Sequence, residues 1–319
     1  MTHKPSSLAE LQQLLSAASS RKEKVGRIDL GAFNGVLAHT PEDMTATVEA
    51  GITLAELQMA LGKHRQWLPV DPPDPERLTL GEIIDAHASG PRRFGYGTVR
   101  DYLIGITVAL ADGNVIKSGG KVVKNVAGYD LAKVFIGGQG TLGVVVDANF
   151  KLRPLPESER FVQAPCDSVD GAEKLISLVL NSELTPVVLD LHRLGESGAS
   201  LTVVVGFAGT REEVEWQLVR AGELGLSGPS SLHYEVQFRT ECPTPRKRSV
   251  LPSRLAATIG ELDGAPFVAR AGNGIIYHAS VHSAAKDPVP TALASRLKDA
   301  FDPAHIFPEM ERHVCKEAR

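Results

Sequence analysis

The alternation of apolar and polar residues divides this chain into helices and strands before any chemistry is considered. Leu8, Leu11, Leu14 and Leu15 recur at helical spacing, which predicts a helix over Ser7 to Ala17 and a polar loop over Ser19 to Lys24. Thr45 to Ala50 alternates as a half-buried strand, and Gly51 ends it. Thr53 and Glu56 then have the spacing of a capping box, with Leu54, Leu57 and Leu61 behind them and Gly62 closing the helix. The prolines at 69, 72, 73 and 75 force Leu68 to Pro75 into an extended segment. Ile104 to Leu110 reads as a buried strand, Asp112-Gly113 as a hairpin turn and Val115 to Lys117 as the returning strand. From Val144 to Arg153 the alternation predicts one face of Val146, Ala148, Phe150 and Leu152, and an opposite face of Asp147, Asn149, Lys151 and Arg153.

Pro154, Pro156 and the charges from Glu157 to Arg160 mark a boundary, and the pattern changes beyond it. Ala172, Leu175, Ile176, Val179 and Leu180 form a helix face, and Thr210 with Glu213 starts another helix. Val187 to Leu191, Leu201 to Phe207, His233 to Phe238 and Ile275 to Val281 read as strands, and Ala292 to Phe301 as a last helix. Helices interleaved with strands over this length predict a second α+β domain built on an antiparallel sheet. A length of 319 residues fits two domains. The expected division is 1–154 and 155–319, with the C-terminal segment returning to the first domain.

Composition narrows the function classes. A net charge of −4 gives no electrostatic basis for binding nucleic acid or an acidic membrane surface, and Arg246-Lys247-Arg248 reads as a short solvated loop. The three cysteines, Cys166, Cys242 and Cys315, have no C-x-x-C spacing, so they predict neither a disulfide framework nor a zinc or iron–sulfur site. Such sparse cysteines fit a reducing cytosol. Met1 to Pro5 leads into a polar helix rather than an apolar signal core, and no stretch approaches the roughly 20 apolar residues needed to span a bilayer. The expectation is a cytoplasmic protein.

Glycines carry the strongest chemical signal. They cluster at Gly81, at Gly90, Gly95 and Gly97, at Gly119 and Gly120, at Gly128, and at Gly137, Gly138, Gly140 and Gly143. Glycine lets backbone approach a ligand closely, and consecutive amide N–H groups form concavities for anions; any one cluster can equally be a turn. The order of the clusters is the informative part. Thr79-Leu80-Gly81, Ser89-Gly90-Pro91-Arg92-Arg93, Tyr96-Gly97-Thr98-Val99-Arg100-Asp101 and Ala111-Asp112-Gly113 are followed by Gly119-Gly120-Lys121-Val122-Val123-Lys124-Asn125-Val126-Ala127-Gly128-Tyr129-Asp130 and Gly140-Thr141-Leu142-Gly143. This series resembles the PCMH-type flavin domain of the vanillyl-alcohol-oxidase family, and within it the FAD-binding small subunit of bacterial glycolate oxidase.

The resemblance implies an α+β fold: a PCMH-type FAD-binding domain of two α/β subdomains, followed by a ferredoxin-like α+β cap domain. It implies FAD as cofactor, with Thr79, Leu80, Gly81, Ser89 and Gly90 along the diphosphate and ribityl chain, and Pro72 and Ala88 among the cofactor-binding positions. Tyr96, Gly97 and Asp101 would stand near the flavin, Asn125, Gly128 and Tyr129 would shape its pocket, and Gly140, Gly143, Val144 and Val145 would run beside the dinucleotide. Arg92, Arg93, Lys121 and Lys124 are candidates to offset phosphate charge. Two departures from the family pattern bear on the diphosphate. Val25 to Leu30 lacks the family's glycine-rich loop, and Glu82 stands where a second glycine would follow Gly81, a carboxylate that repels a diphosphate unless it turns away.

The implied activity is oxidation of a small 2-hydroxy acid, with electrons passed to a larger flavin subunit and an iron–sulfur subunit. The alternative is a non-catalytic assembly subunit of the same complex with weak or no flavin binding. A nicotinamide enzyme needs a G-x-G-x-x-G that opens a helix after a strand, which this sequence does not offer, and no nucleophile elbow supports hydrolysis. His278 and His282 are spaced as helical ligands but lie in a strand-like run, where a structural role outweighs metal binding, and His87 lies near the expected diphosphate.

Overall fold

The computed structural model describes residues 1–120, 131–195, 200–279 and 291–309. The described residues fold into two compact units: 1–89, 97–120, 131–155 and 291–309 form one, and 90–96, 156–195 and 200–279 form the other.

The first unit is built on a five-stranded antiparallel sheet. Its strands β1 (Val36–Thr40), β2 (Thr45–Glu49), β3 (Leu103–Ala109), β4 (Val115–Gly119) and β5 (Val144–Lys151) lie in the order β1-β2-β5-β3-β4. Helix α1 (Leu8–Arg21) buries Leu11 and Leu15, and the short strand Thr2–His3 pairs in parallel with Arg27–Ile28. The helix therefore runs through Ser19 to Arg21, which the polar composition assigns to a loop. Its last turn stays solvated, and Lys22 stops it in a left-handed conformation (φ 52°). The hairpin between β3 and β4 turns at Gly113 (φ 85°), where Leu110 and Asn114 close the turn at 2.8 Å.

Strand β5 departs from the single alternating face expected of it. Asp147 pairs with Thr107 and Val145 with Val108, so Val146 is an extra residue in the ladder. The bulge reverses the side-chain parity. Ala148 and Phe150 pack with Val145 in the core under α2 (Leu54–Gly62) and α3 (Leu80–Ala86), while Val146 packs with Leu11, Leu15, Ile306 and Phe307.

The second unit has a seven-stranded antiparallel sheet. Strands β6 (Ser158–Cys166), β7 (Val188–Arg193), β8 (Leu201–Gly209), β9 (Gly228–Ser230), β10 (Arg246–Ser249), β11 (Phe267–Arg270) and β12 (Ile275–His278) take the order β9-β6-β8-β7-β11-β12-β10. Helices α4 (Val169–Leu180) and α5 (Arg211–Glu223) bury Ala172, Ile176, Val179, Val214 and Ala221 against Val203, Val205 and Phe207 on one face. Helix α6 (His233–Glu241) covers the other face, packing Tyr234 and Phe238 on Val204, Val268 and Tyr277.

Two expectations fail here. Residues His233 to Phe238 alternate like a strand but form α6, because Tyr234 and Phe238 meet the sheet four residues apart while Val236 is 61% exposed. Arg246-Lys247-Arg248 is not a loop but the edge strand β10, pairing with β12, and its cations blunt the free edge. The mixed α+β architecture is the expected fold class.

Candidate functional site

Helix α3 begins at three of the residues expected along a dinucleotide, Thr79, Leu80 and Gly81. Thr79 is its N-cap, and Glu82 completes the capping box: the Thr79 N–H and hydroxyl both donate to Glu82 Oε2 at 3.1 Å, and the Glu82 N–H donates back to Thr79 Oγ1 at 3.3 Å. The next two amides bind backbone of the neighbouring loop, Leu80 N–H to Ile52 O at 2.9 Å and Gly81 N–H to Ala50 O at 2.8 Å. A Cβ on Gly81 would stand 3.2 Å from Ala50 O, so this glycine serves close packing of the helix onto the end of β2. Glu82 also reaches Arg27 at 3.2 Å. Its carboxylate is thus turned into the helix cap and an ion pair.

The C-terminal end of α3 is closed as well. His87 takes the left-handed conformation (φ 49°), and the Gly137 and Gln139 N–H groups donate to Ile84 O and Asp85 O at 2.9 Å each. Gly140 (φ 66°) donates its N–H to the Asp85 carboxylate. Burial pushes that carboxyl up to about 7, against the Gly140 hydrogen bond and with added repulsion from Glu82. Gly97 (φ 84°) lies against Asp101, whose Oδ2 accepts from Thr98 N–H at 2.8 Å and Thr98 Oγ1 at 3.2 Å. His87 Nε2 stands 3.0 Å from that same Thr98 hydroxyl. Because the hydroxyl proton goes to Asp101, the imidazole Nε2 is the donor to Thr98.

The other expected positions disperse. Pro72 is buried in the extended segment, and the Ala88 N–H binds Ile83 O at 3.1 Å. Ser89 is buried in the first unit, whereas Gly90 and Tyr96 belong to the second. Gly143 leads into β5, where a Cβ would meet Val108 Cγ1 at 2.6 Å, and Val144 and Val145 are ladder residues of that strand. Asn125, Gly128 and Tyr129, with Lys121 and Lys124, lie outside the described residues. Arg92 is held in the second unit by Glu159, with contacts of 2.7 and 2.6 Å. No group of three or more His, Cys, Asp or Glu side chains among the described residues could hold a metal ion.

A diphosphate needs amide or cationic donors, and several amides at the expected loops are held by the chain's own groups. Carboxylates take the N–H groups of Gly31 (Asp29, 3.0 Å), Gly35 (Glu49, 2.8 Å), Thr79 (Glu82), Thr98 (Asp101) and Gly140 (Asp85). Carbonyls take those of Leu80, Gly81, Gly137, Gly138, Gln139 and Thr141. These particular amides are therefore not open to an FAD diphosphate.

A second constellation, in the other unit, escaped the motif reading. Arg270 on β11, only 2% exposed, bridges the carboxylates of Asp190 on β7 and Glu235 on α6. The Tyr234 hydroxyl donates to Asp190 at 2.6 Å, and Arg239 lies 3.7 Å from Glu235. Burial pushes Asp190 up to about 7 against the pull of Arg270, with Glu235 adding to the rise. Glu235 is also raised by burial, but Arg270 and Arg239 hold it below the usual carboxylate range. The available signal was an arginine ending the apolar run Phe267-Val268-Ala269.

Comparison with known proteins shows what the chain is similar to. Residues 12–119 match the FAD binding domain family. The chain is 37% identical to glycolate oxidase subunit GlcD of Bacillus subtilis, over half of this chain and 34% of that protein. It is 32% identical to glycolate oxidase subunit GlcE of Escherichia coli, over 47% of this chain and 45% of that one. It is also 32% identical to a D-lactate dehydrogenase of Archaeoglobus fulgidus, over 53% of this chain and 35% of the relative. The match thus spans between a third and a half of the length of these relatives. An alkyldihydroxyacetonephosphate synthase structure has the same fold, with a TM-score of 0.71 at 17% identity over 96% of this chain and 75% of its own. These similarities support FAD as the cofactor. No helix among the described residues is long and apolar enough to cross a membrane.

Proposed function

We propose that the chain is a cytoplasmic subunit of an FAD-linked 2-hydroxy-acid oxidase or dehydrogenase. Residues 1–154 are its flavin domain, and 155–319 its cap, with the C-terminal segment returning to the flavin domain. Its substrate is a small 2-hydroxy acid of the glycolate or D-lactate type. Its electrons pass to partner chains, a larger flavin subunit and an iron–sulfur subunit. The observation that carries this reading is the FAD binding domain match over 12–119, together with relatives named for glycolate oxidase and D-lactate dehydrogenase. Bound FAD supplies the redox chemistry, and the protein's part is placement. The expected cofactor-binding positions, Pro72, Thr79 to Gly81, Ala88 to Gly90, Tyr96, Gly97, Asp101, Asn125, Gly128, Tyr129, Gly140 and Gly143 to Val145, remain part of the proposal. At Thr79 to Gly81 and at Gly140, contact comes through surfaces other than the occupied amides.

A specific observation favours a second reading, an assembly subunit with weak or no flavin binding. The self-capped amides at Gly31, Gly35, Thr79, Thr98 and Gly140 leave no open anion cradle among them. Visible absorbance of the complex purified from its source, and of this chain separated from it, decides between the two. Flavin bands that stay with this chain through gel filtration and bleach with glycolate or D-lactate establish the oxidoreductase reading. A chain that is colourless both alone and when its partners are stripped of their own flavin establishes the assembly reading.

A further inference from the structure

One carboxylate of the first unit stands where a negative charge is least favoured. Asp85 lies in the last turn of α3, at the electronegative C-terminal end of the helix. The glycine-rich loop from Gly137 to Gly143 folds back onto it. Gln139 (φ 55°) and Gly140 (φ 66°) both take the left-handed conformation, and their successive N–H groups both end on Asp85. The Gln139 N–H donates to Asp85 O at 2.9 Å, and the Gly140 N–H donates to the Asp85 carboxylate.

Successive amides of a glycine-rich loop form an arrangement that binds anions, and here the chain supplies the anion itself. Glu82, one turn earlier on α3, is engaged by the Thr79 cap and by Arg27 at 3.2 Å. Asp85 has no such cation among the described residues: besides burial, the groups that act on it are the Gly140 N–H and the like charge of Glu82. A phosphate oxygen approaching Gly140 would meet both an occupied donor and an opposing carboxylate. Like charges about 10 Å apart, at an effective dielectric of about 20, repel strongly enough to weaken binding roughly tenfold.

We propose, on the flavin reading above, that Asp85 is a built-in competitor for the FAD diphosphate: its carboxylate fills the Gly140 amide that a phosphate oxygen would use, and its charge repels the diphosphate. The flavin affinity of this chain is thereby set by one side chain of α3.

Titration of the full chain, freed of bound flavin, with FAD and with riboflavin tests the assignment. The assay is run at pH 8, where a carboxyl raised to about 7 is mostly ionised. Asp85→Asn keeps an acceptor for Gly140 and removes the charge, so it should bind FAD about tenfold tighter than the parent does. Asp85→Ala also frees the N–H and should bind FAD at least as tightly as the asparagine variant, which decides the matter alone if the alanine variant does not fold. Riboflavin carries no phosphate and should gain in neither. FAD gains below about threefold in both variants overturn the proposal, as does a lack of FAD binding in all three proteins. An equal gain for riboflavin also overturns it, because the effect then lies outside the diphosphate. Tighter FAD binding without bleaching by glycolate or D-lactate upholds the role of Asp85 and counts against the oxidation reading instead. Bleaching in the parent with no gain in the variants overturns the role of Asp85 and leaves that reading standing.

Discussion

Asp190 provides the sharpest test of the electrostatics inside the second unit. Its carboxyl is raised from 3.8 to about 7 in the folded chain, chiefly by burial. Arg270 cannot give up its proton, and Glu235 has both Arg270 and Arg239 to hold it ionised. Asp190 is therefore the member of the trio that takes up a proton. The sign follows from linkage. Between about pH 4 and pH 7 the unfolded carboxyl has released its proton and the folded one has not, so folding binds a proton and stability falls as pH rises. At 1.36 kcal/mol per pK unit, a shift of about three units removes about 4 kcal/mol across that window. The substitution Asp190→Asn mimics the protonated form, so the variant should match the parent near pH 4 and exceed its stability by up to about 4 kcal/mol above pH 7.

His192 and His278, both driven down to about 4 chiefly by burial, push stability the opposite way below pH 6.5. They do so in parent and variant alike, so the difference between the two proteins isolates Asp190. The measurement is urea unfolding at half-unit pH steps, in a Trp67→Phe background that leaves Trp216 on α5 as the sole tryptophan and a reporter of the second unit. Parallel stability–pH curves for the two proteins, or a variant that loses ground to the parent as pH rises, would refute the reasoning.

Two further substitutions probe what holds each unit together. Lys298 on the C-terminal helix Thr291–Phe301 donates to Thr141 O at 2.9 Å and to the fully buried Asp302 at 2.6 Å, so Lys298→Met leaves that carboxylate without its cation, held only by the Ile306 and Phe307 N–H groups. It should cost about 3–5 kcal/mol by Trp67-monitored urea unfolding, and a loss below about 1 kcal/mol would show the ion pair to be dispensable. Gly274 has φ 67°, and a Cβ there would sit 2.0 Å from Val250 O. Gly274→Val should lower stability of the second unit by at least about 2 kcal/mol, while an unchanged thermal midpoint would mean that the turn before β12 relaxes freely.

Local pattern determined much of this protein. The leucines of α1, the capping boxes at Thr53 and Thr210, and the Asp112-Gly113 turn encode their elements in residues a few positions apart. The glycine series between Thr79 and Gly143 carried the family resemblance for the same reason, because motif order is a property of the chain alone. Contacts between distant residues decided the rest. Tyr234, Val236 and Phe238 alternate, yet burial against Val204 and Val268 selects a helix. One unpaired residue in the β5 ladder reverses the face that strict alternation assigns to Val146. The amides of Leu80 and Gly81 look like anion donors in the sequence, but Ile52 and Ala50 occupy them in the fold. Asp190 and Arg270 lie 80 positions apart, and only the pairing of β7 with β11 turns two isolated charges into a buried pair. Periodicity and turn chemistry are short-range and can be read along the chain. The partner of a donor or a charge is set by which strands and helices come together, and that is a property of the packed molecule.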